Sequence, residues 1–258
     1  MALQKITVPL LLGVGCLGLL LLGFARPPKV VAATIGTIPQ TDIVQQVTIT
    51  ATKDNTLYAT TPGQISNGAG TFFFVGRTNQ GAIARGLVAF DLAGVLPENA
   101  TILSATLQLH LSKTSTGTIP VNLHRVLADW GEGASDAPSN ESGGAPAATG
   151  DATWLHTFYN TAFWQTPGGD YVVTSTATLS VANEGVYVWG STALVDDVRD
   201  WVSDPNSNFG WEIIGDETVN HTMKRFDTKE NSAPANRPQL TIIYSTPGVN
   251  LYLPFIQQ

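Results

Sequence analysis

The chain is 258 residues long and carries 13 basic against 20 acidic residues, a formal net charge of −7 at pH 7. Three of the basic residues and none of the acidic ones precede Asp42, so the rest of the chain has a net charge of −10, from ten basic and 20 acidic residues. Such an acidic surface repels nucleic acid and anionic lipid at neutral pH, which excludes nucleic acid as a partner.

The first 33 residues have the layout of a secretory signal peptide, with Lys5, an apolar run over residues 6–24, and small residues at Ala32 and Ala33. We therefore predict a secreted, extracellular protein. The 19-residue run is also at the lower limit for a membrane-spanning helix, so an uncleaved N-terminal anchor at the cell surface is the alternative, and membrane contact is expected only in that case. Cys16, the one cysteine, lies in this leader, so no disulfide is expected. Residues 34–46 are interpreted as a spacer.

The clearest strand signal is "TILSATLQLHL" at 101–111, where apolar and polar residues alternate. A period of two indicates a strand with one buried face. His110 falls on the polar face, so a solvated histidine is expected there. The side chains predicted to point into the core are Leu103, Ala105, Leu107, Leu109 and Leu111.

Further strands are predicted along most of the chain. "VNLHRVL" at 121–127 places Val121, Leu123 and Leu127 on one face. "YVVTSTATLSV" at 171–181 is interpreted as one strand whose inward residues are Tyr171, Val173, Ala177, Leu179 and Val181. The tract at 131–150 is poor in apolar residues, so it is expected to be a long surface loop.

Only "STALVDDVRDWVSDP" has helical spacing, with Ser191 or Thr192 as the cap and Pro205 as the stop. One short helix among many strands indicates an all-β fold, an antiparallel β-sandwich of the jelly-roll kind. We expect one such domain over residues 47–245, followed by a C-terminal tail at 246–258.

Several motifs occur in an order that resembles the DNRLRE-type domains of secreted bacterial proteins. They are "ATKDNTLYATTPGQISNGAGTFFFVGRT", "ARGLVAFDLAGVLPENATILSATLQLHL", "DWGEG", "NFGW", "RFDTKEN" and "RPQLTIIY". The sextet that names those domains is absent from this chain. The resemblance implies a β-sandwich found beside polysaccharide-degrading modules, and some such domains are classed as carbohydrate-binding modules that recognise alginate.

Catalytic chemistry has little support in the sequence. The four histidines are scattered without metal-ligand spacing, and no nucleophile motif is present. Asp129, Glu132 and Asp136 in "DWGEGASD" could supply a glycosidase pair, but a solvated acidic loop is the favoured interpretation. We therefore expect no enzyme, with polysaccharide degradation as the remaining catalytic alternative.

Calcium is a better supported expectation than catalysis. Ca²⁺ takes six to eight hard oxygen ligands, and Asp54 with Asn55, Asp91, and Asp227 lie at predicted strand ends or loops. Glu230 and Asn231 follow Asp227 closely. A structural calcium ion is thus predicted, and a plain turn in which Lys229 pairs with Glu230 is the alternative.

The stretch at 150–171, "GDATWLHTFYNTAFWQTPGGDY", concentrates aromatic residues. Trp154 and Trp130 are expected in the core. The Pro–Gly–Gly punctuation indicates an exposed connection, where rings can stack on sugars and polar groups can bind hydroxyls. The predicted carbohydrate-binding residues are Tyr159, Trp164, Tyr171, His156 and Asp170.

The function predicted from these features is that of a secreted, non-catalytic module, similar to carbohydrate-binding modules, that recognises extracellular polysaccharide or a cell-surface glycan. The alternative is a structural or adhesive surface protein without a specific glycan ligand. Because few basic residues are available, neutral glycans are expected over polyanions. The one local basic cluster contains Lys224, Arg225, Lys229 and Arg237.

Overall fold

The computed structural model describes residues 41–248. The predicted signal peptide, Cys16, most of the spacer and most of the C-terminal tail lie outside the described residues. The strands are β1 (Ile43–Thr50), β2 (Lys53–Tyr58), β3 (Ile65–Ser66), β4 (Phe72–Arg77), β5 (Ile83–Ala89), β6 (Thr101–Thr114), β7 (Ile119–Arg125), β8 (Ala145–Pro146), β9 (His156–Phe158), β10 (Ala162–Phe163), β11 (Ala177–Val181), β12 (Gly185–Gly190), β13 (Trp211–Ile214), β14 (Lys224–Asp227) and β15 (Gln239–Thr246). The α-helix is α1 (Thr192–Ser203), and single 3₁₀ turns occur at Pro205–Ser207 and Pro234–Asn236.

The strands of the main sheet pair antiparallel in the order β1-β15-β6-β14-β4-β5-β13-β7-β11. β12 pairs with the edge of β6 opposite β15, and β2 pairs with β5. The sheet curls, so that β6, β12 and β15 share one core with β5, β7 and β13. Over residues 41–248 the fold is therefore all-β and sandwich-like with one helix, as predicted. β1 begins at Ile43, inside the segment interpreted as a spacer.

The core is built on β6 and on tryptophans from both layers. Leu107, Leu109 and Leu111 have no exposed surface, and Trp189 and Trp211 pack in the same cluster. The indole N–H groups are paired, because Trp189 Nε1 donates to the carbonyl of Val121 at 3.0 Å and Trp211 Nε1 donates to Asp197 Oδ2 at 2.9 Å. These two rings are thus buried without the cost of an unpaired N–H, whereas Nε1 of Trp201 in the same cluster is buried with no hydrogen-bond partner among residues 41–248.

The predicted inward face of β6 is correct from Ala105 onward and wrong at Leu103, which is 49% exposed. A register shift in the pairing with β15 is the cause: Ile243 pairs with Ser104, but the next residue, Tyr244, pairs with Ile102. The extra residue is Leu103. A bulge of this kind changes which parity faces inward.

His110 is not the solvated histidine expected from the alternation. Its side chain is 23% exposed, and Nδ1 lies 2.6 Å from Asp227 Oδ2. Asp227 is 1% exposed. The polar face of β6 is partly covered here because β14 lies alongside β6 and contributes this carboxylate.

Two other strand predictions are too long. β11 begins only at Ala177, so Val173 is 85% exposed and Tyr171 lies outside the strand. β7 ends at Arg125, which leaves Leu127 56% exposed.

The helix prediction is confirmed. Ser191 caps α1, because its Oγ accepts a hydrogen bond from the backbone N–H of Leu194 at 2.9 Å. Leu194, Val198 and Trp201 face the core at helical spacing. Within residues 41–248, no helix has both the length and the apolar composition needed to cross a membrane.

The segment at 131–150 is largely irregular, as predicted, but it packs against the body through polar groups. Glu141 is 6% exposed, and its Oε2 accepts hydrogen bonds from the Phe72 backbone N–H and from Asn67 Nδ2, both at 2.9 Å. The low apolar content of this segment therefore did not reveal that it packs against the body. A carboxylate can be buried when it accepts hydrogen bonds from N–H groups.

Candidate functional site

The aromatic stretch forms a small hairpin, residues 156–163, in which β9 pairs with β10. Phe163 is 65% exposed. Its ring centroid lies 4.3 Å from that of His156, with an angle of 35° between the planes. The Tyr159 ring meets His156 edge-on at 5.1 Å. Two aromatic rings thus pack on one histidine, and one of them is open to solvent.

His156 is the support for these rings. It is 5% exposed, its Nδ1 lies 3.0 Å from Thr153 Oγ1, and its backbone N–H donates to the same oxygen at 3.0 Å. Burial lowers the pKa of His156 below its ordinary value, so the imidazole is neutral at pH 7. A neutral ring fixed by a hydroxyl positions its neighbours without adding charge.

Trp164 does not lie on the exposed surface that was predicted for it. It is 5% exposed and packs in a second core cluster with Trp130 and Leu57. Its Nε1 donates to the carbonyl of Thr153 at 2.9 Å. Because neighbouring residues point to opposite sides of an extended chain, Phe163 faces outward and Trp164 inward. The exposed ring is therefore one residue earlier than expected.

Trp130 is buried, as predicted, but Trp154 is only half-buried. Trp154 lies over the guanidinium of Arg85, whose Cζ is 4.9 Å from the ring centroid. The same guanidinium lies 5.5 Å from the ring of Tyr171. Trp154 therefore packs against the second core cluster on one side, as predicted in part, and takes part in a cation–π contact with Arg85.

Asp170 and Tyr171 line a different feature from the hairpin, a groove of about 340 Å³ together with Thr166, Val173 and other residues. Asp170 braces its rim, since Oδ2 accepts the Gln165 N–H at 2.8 Å and Oδ1 accepts the Thr166 N–H at 2.9 Å. The five predicted carbohydrate-binding residues thus separate into three places: Tyr159 and His156 in the hairpin, Asp170 and Tyr171 in the groove, and Trp164 in the core.

Arg85, whose guanidinium lies near the ring of Tyr171, forms ion pairs with two glutamates. It donates to Glu217 at 2.7 and 3.0 Å, to the carbonyl of Gly168 at 2.8 Å and to Glu212 Oε1 at 3.3 Å. Glu212 is fully buried, and burial raises its pKa to about 8, although the attraction of Arg85 opposes the shift. Gly169 is required beside it, because a Cβ there would lie 2.1 Å from Glu212 Oε2.

A second charged group, which we call the acidic cluster, consists of Asp54, Glu132 and Glu230. One carboxylate oxygen from each lies within 4.8 Å of the others. Asp54 lies in β2, Glu132 lies beyond the end of β7, and Glu230 lies just after β14, so the fold alone brings them together. The backbone N–H of Asp54 donates to Glu132 Oε1 at 2.9 Å.

Lys229 is the cation of this cluster. Its Nζ lies 3.2 Å from Glu132 Oε1 and also contacts Glu230 Oε1. Its backbone N–H donates to Asp54 Oδ2 at 2.8 Å. Burial, reinforced by the neighbouring Glu230, raises the pKa of Asp54 well above its ordinary value. The alternative reading of a turn in which Lys229 pairs with Glu230 is thus present, but within a larger group.

Of the residues predicted to bind calcium, only Asp54 and Glu230 are in the acidic cluster. Asn55 Oδ1 already accepts three hydrogen bonds, from Thr56 N, Ser66 Oγ and Asn67 N. Asp91 is exposed and caps a turn by accepting the Ala93 N–H at 2.9 Å. Asp227 is paired with His110.

The sequence did not predict that Glu132 lies in the acidic cluster, because this residue was interpreted as part of a solvated acidic loop. Its contact with Asp54 spans 78 residues. No local pattern around "DWGEG" carries that information. The loop interpretation holds better for Asp129, whose side chain is 59% exposed and pairs with Lys53 at 2.8 Å.

No protein-family model matches this chain, and no curated protein matches it either. The likeness to DNRLRE-type domains therefore rests on the order of motifs in the sequence, and membership of that family stays a prediction.

Proposed function

We propose that this protein is a secreted, non-catalytic carbohydrate-binding module and that it recognises a neutral polysaccharide through the hairpin at 156–163. The observation that carries the proposal is the ring of Phe163, which is 65% exposed and yet held against His156 at 4.3 Å. An exposed aromatic side chain that is already fixed loses little conformational entropy when it binds.

The chemistry of the hairpin suits a sugar. Aromatic rings stack on the apolar C–H faces of pyranoses, and Tyr159 adds a hydroxyl to its ring. Asn160 and Thr161, which lie between Tyr159 and Phe163 in the sequence, are exposed and offer amide and hydroxyl groups. The hairpin sequence, "HTFYNTAF", contains no Lys, Arg, Asp or Glu, and His156 is neutral at pH 7. A neutral glycan matches this surface better than a polyuronate does.

One observation favours the alternative of a structural or adhesive surface protein. β1 pairs with β15 on one side, and its residues Ile43 and Val44 are 49% and 63% exposed. An exposed apolar strand at a sheet edge can pair with a second chain. In that case the domain would be a building block, and the protein would associate with itself.

The experiment is retention of the purified protein in affinity gels that contain neutral polysaccharides or alginate, followed by calorimetry on any hit. Phe163→Ala is expected to weaken binding to a neutral polysaccharide at least about tenfold, which corresponds to about 1.4 kcal/mol. Val173→Ala is the matched control, because Val173 is also apolar and exposed but lies in the groove beside Tyr171.

Three results would count against the proposal. Equal losses in both variants would move the binding site away from the hairpin. Tight alginate binding that weakens steeply with salt would contradict the choice of a neutral ligand. Silence across all glycans, combined with self-association in sedimentation experiments, would favour the structural alternative.

A further inference from the structure

The acidic cluster holds more negative charge than Lys229, its one cation within residues 41–248, can balance. Three carboxylates, those of Asp54, Glu132 and Glu230, lie within 4.8 Å of one another, and the charged groups that act on Asp54 are these two glutamates and Lys229. If all three acids are ionised, the group keeps a net charge of −2. Like charges at this separation repel one another strongly away from bulk water.

A second observation distinguishes this group from an ordinary patch of surface acids. Asp54 has no exposed surface, and its Oδ1 has no hydrogen-bond partner within residues 41–248. Glu230 Oε2 is likewise buried and unpartnered in the described part of the chain. Unpaired carboxylate oxygens away from water are costly, and a bound cation is one partner that satisfies them.

We propose that the acidic cluster is a binding site for a hard divalent cation of the calcium class, which replaces the ammonium of Lys229. Ligands held about 2.4 Å from one ion lie no more than about 4.8 Å apart, and one oxygen from each of the three carboxylates meets this limit. Three carboxylates can supply three to six oxygens, and water completes a shell of six to eight.

The ammonium of Lys229 competes with a bound cation for the same carboxylates. Its ammonium contacts both Glu132 and Glu230, and its side chain is 24% exposed, so rotation of the side chain carries the ammonium into solvent. Replacing Lys229 with an uncharged residue removes the competitor and leaves all three carboxylates in place. A plain ion-pair network would only lose stability from this change, whereas a cation site would gain affinity.

Binding here also has a structural consequence. The cluster joins β2 to the segments that follow β7 and β14, which are distant in sequence. A cation that binds the folded chain and not the unfolded one raises the unfolding temperature as its concentration increases. Thermal unfolding is therefore a readout that needs no knowledge of the protein's ligand.

The experiment uses the full chain, stripped with a chelator, and titrates CaCl₂ and MgCl₂ in calorimetry and thermal unfolding. We expect Ca²⁺ to raise the unfolding temperature of the wild type. Lys229→Met should bind Ca²⁺ at least fivefold more tightly, and Asp54→Asn should bind it at least tenfold more weakly. Asp91→Asn is the matched control, because Asp91 was predicted as a ligand but lies outside the cluster, and its Ca²⁺ affinity should not change.

Two outcomes overturn the proposal. The first is the absence of both heat and a thermal shift with Ca²⁺ in the wild type and in Lys229→Met, which would make the cluster an ion-pair network only. The second is an equal loss of affinity in Asp91→Asn and Asp54→Asn, which would place the ion elsewhere. If Asp54→Asn does not fold, Lys229→Met alone decides, because the proposal requires this variant to gain affinity.

Discussion

Replacing Glu212 with Gln tests whether this buried carboxyl lowers the free energy of unfolding as the pH rises. Glu212 lies in β13 with no exposed surface, and its Oε2 has no hydrogen-bond partner among the described residues. Its other oxygen receives one long bond from Arg85, at 3.3 Å. Burial raises the pKa of Glu212 to about 8, against an ordinary value of 4.5. Gln has nearly the same shape and cannot ionise.

The size and sign of the effect follow from these two pKa values. Below pH 4.5 the folded and unfolded chains both hold the proton, and Glu212 costs nothing. Between pH 4.5 and 8 the folded chain keeps a proton that the unfolded chain has lost, so stability falls as the pH rises. The full difference corresponds to roughly 4–5 kcal/mol, of which about 2–3 kcal/mol is lost between pH 5 and pH 7.

The assay is urea unfolding at pH 5, 7 and 9, followed by tryptophan fluorescence. Glu212→Gln should match the wild type closely at pH 5 and exceed its free energy of unfolding increasingly at pH 7 and 9. Glu184→Gln, at an exposed position, is the control for the loss of one charge. A difference between Glu212→Gln and wild type that stays constant from pH 5 to 9 would refute the reasoning, since it would mean that Glu212 is ionised in the folded chain throughout.

The remaining predictions concern which side chains face inward. Leu107→Ala should cost about 2–5 kcal/mol in the free energy of unfolding, because Leu107 is fully buried, whereas Leu103→Ala at the bulge should cost less than about 1 kcal/mol. Equal costs in urea unfolding would contradict the register of β6. Trp164→Ala should cost about 3–5 kcal/mol, because it removes a buried indole and its bond to the carbonyl of Thr153, whereas Phe163→Ala should leave the melting temperature within a few degrees of wild type. A small effect of Trp164→Ala on thermal unfolding would mean that its ring is exposed.

The elements that could be predicted from the sequence are those specified by local pattern. The alternation from Ala105 to Leu111 is long enough to fix both the strand and its buried face. The cap at Ser191 and the stop at Pro205 fix α1 to within two residues, because caps and proline act on the neighbouring turn. Neither element needs information from a distant part of the chain.

The wrong predictions concern side chains whose exposure depends on contacts with residues outside their own local sequence pattern. The exposure of Leu103 depends on a bulge in the pairing with β15, more than 130 residues later. The choice between Phe163 and Trp164 depends on β10, which has two residues, too few for any alternation to be visible. In that stretch the sequence analysis expected an exposed ring at Trp164, whereas the exposed ring is that of Phe163, which it did not name.

The candidate charged sites could be predicted least, because the usual expectation places charges in solvent. This chain buries several acids and has few bases to pair with them, so the acids are satisfied in different ways. Asp151 and Glu141 accept backbone N–H groups, and Glu212 lies beside Arg85. Oδ2 of Asp54 likewise accepts a backbone N–H, that of Lys229, but Oδ1 has no hydrogen-bond donor within residues 41–248. Asp54 also lies beside two further carboxylates, those of Glu132 and Glu230, and this is why we propose an external cation at Asp54 and none at Asp151 or Glu141.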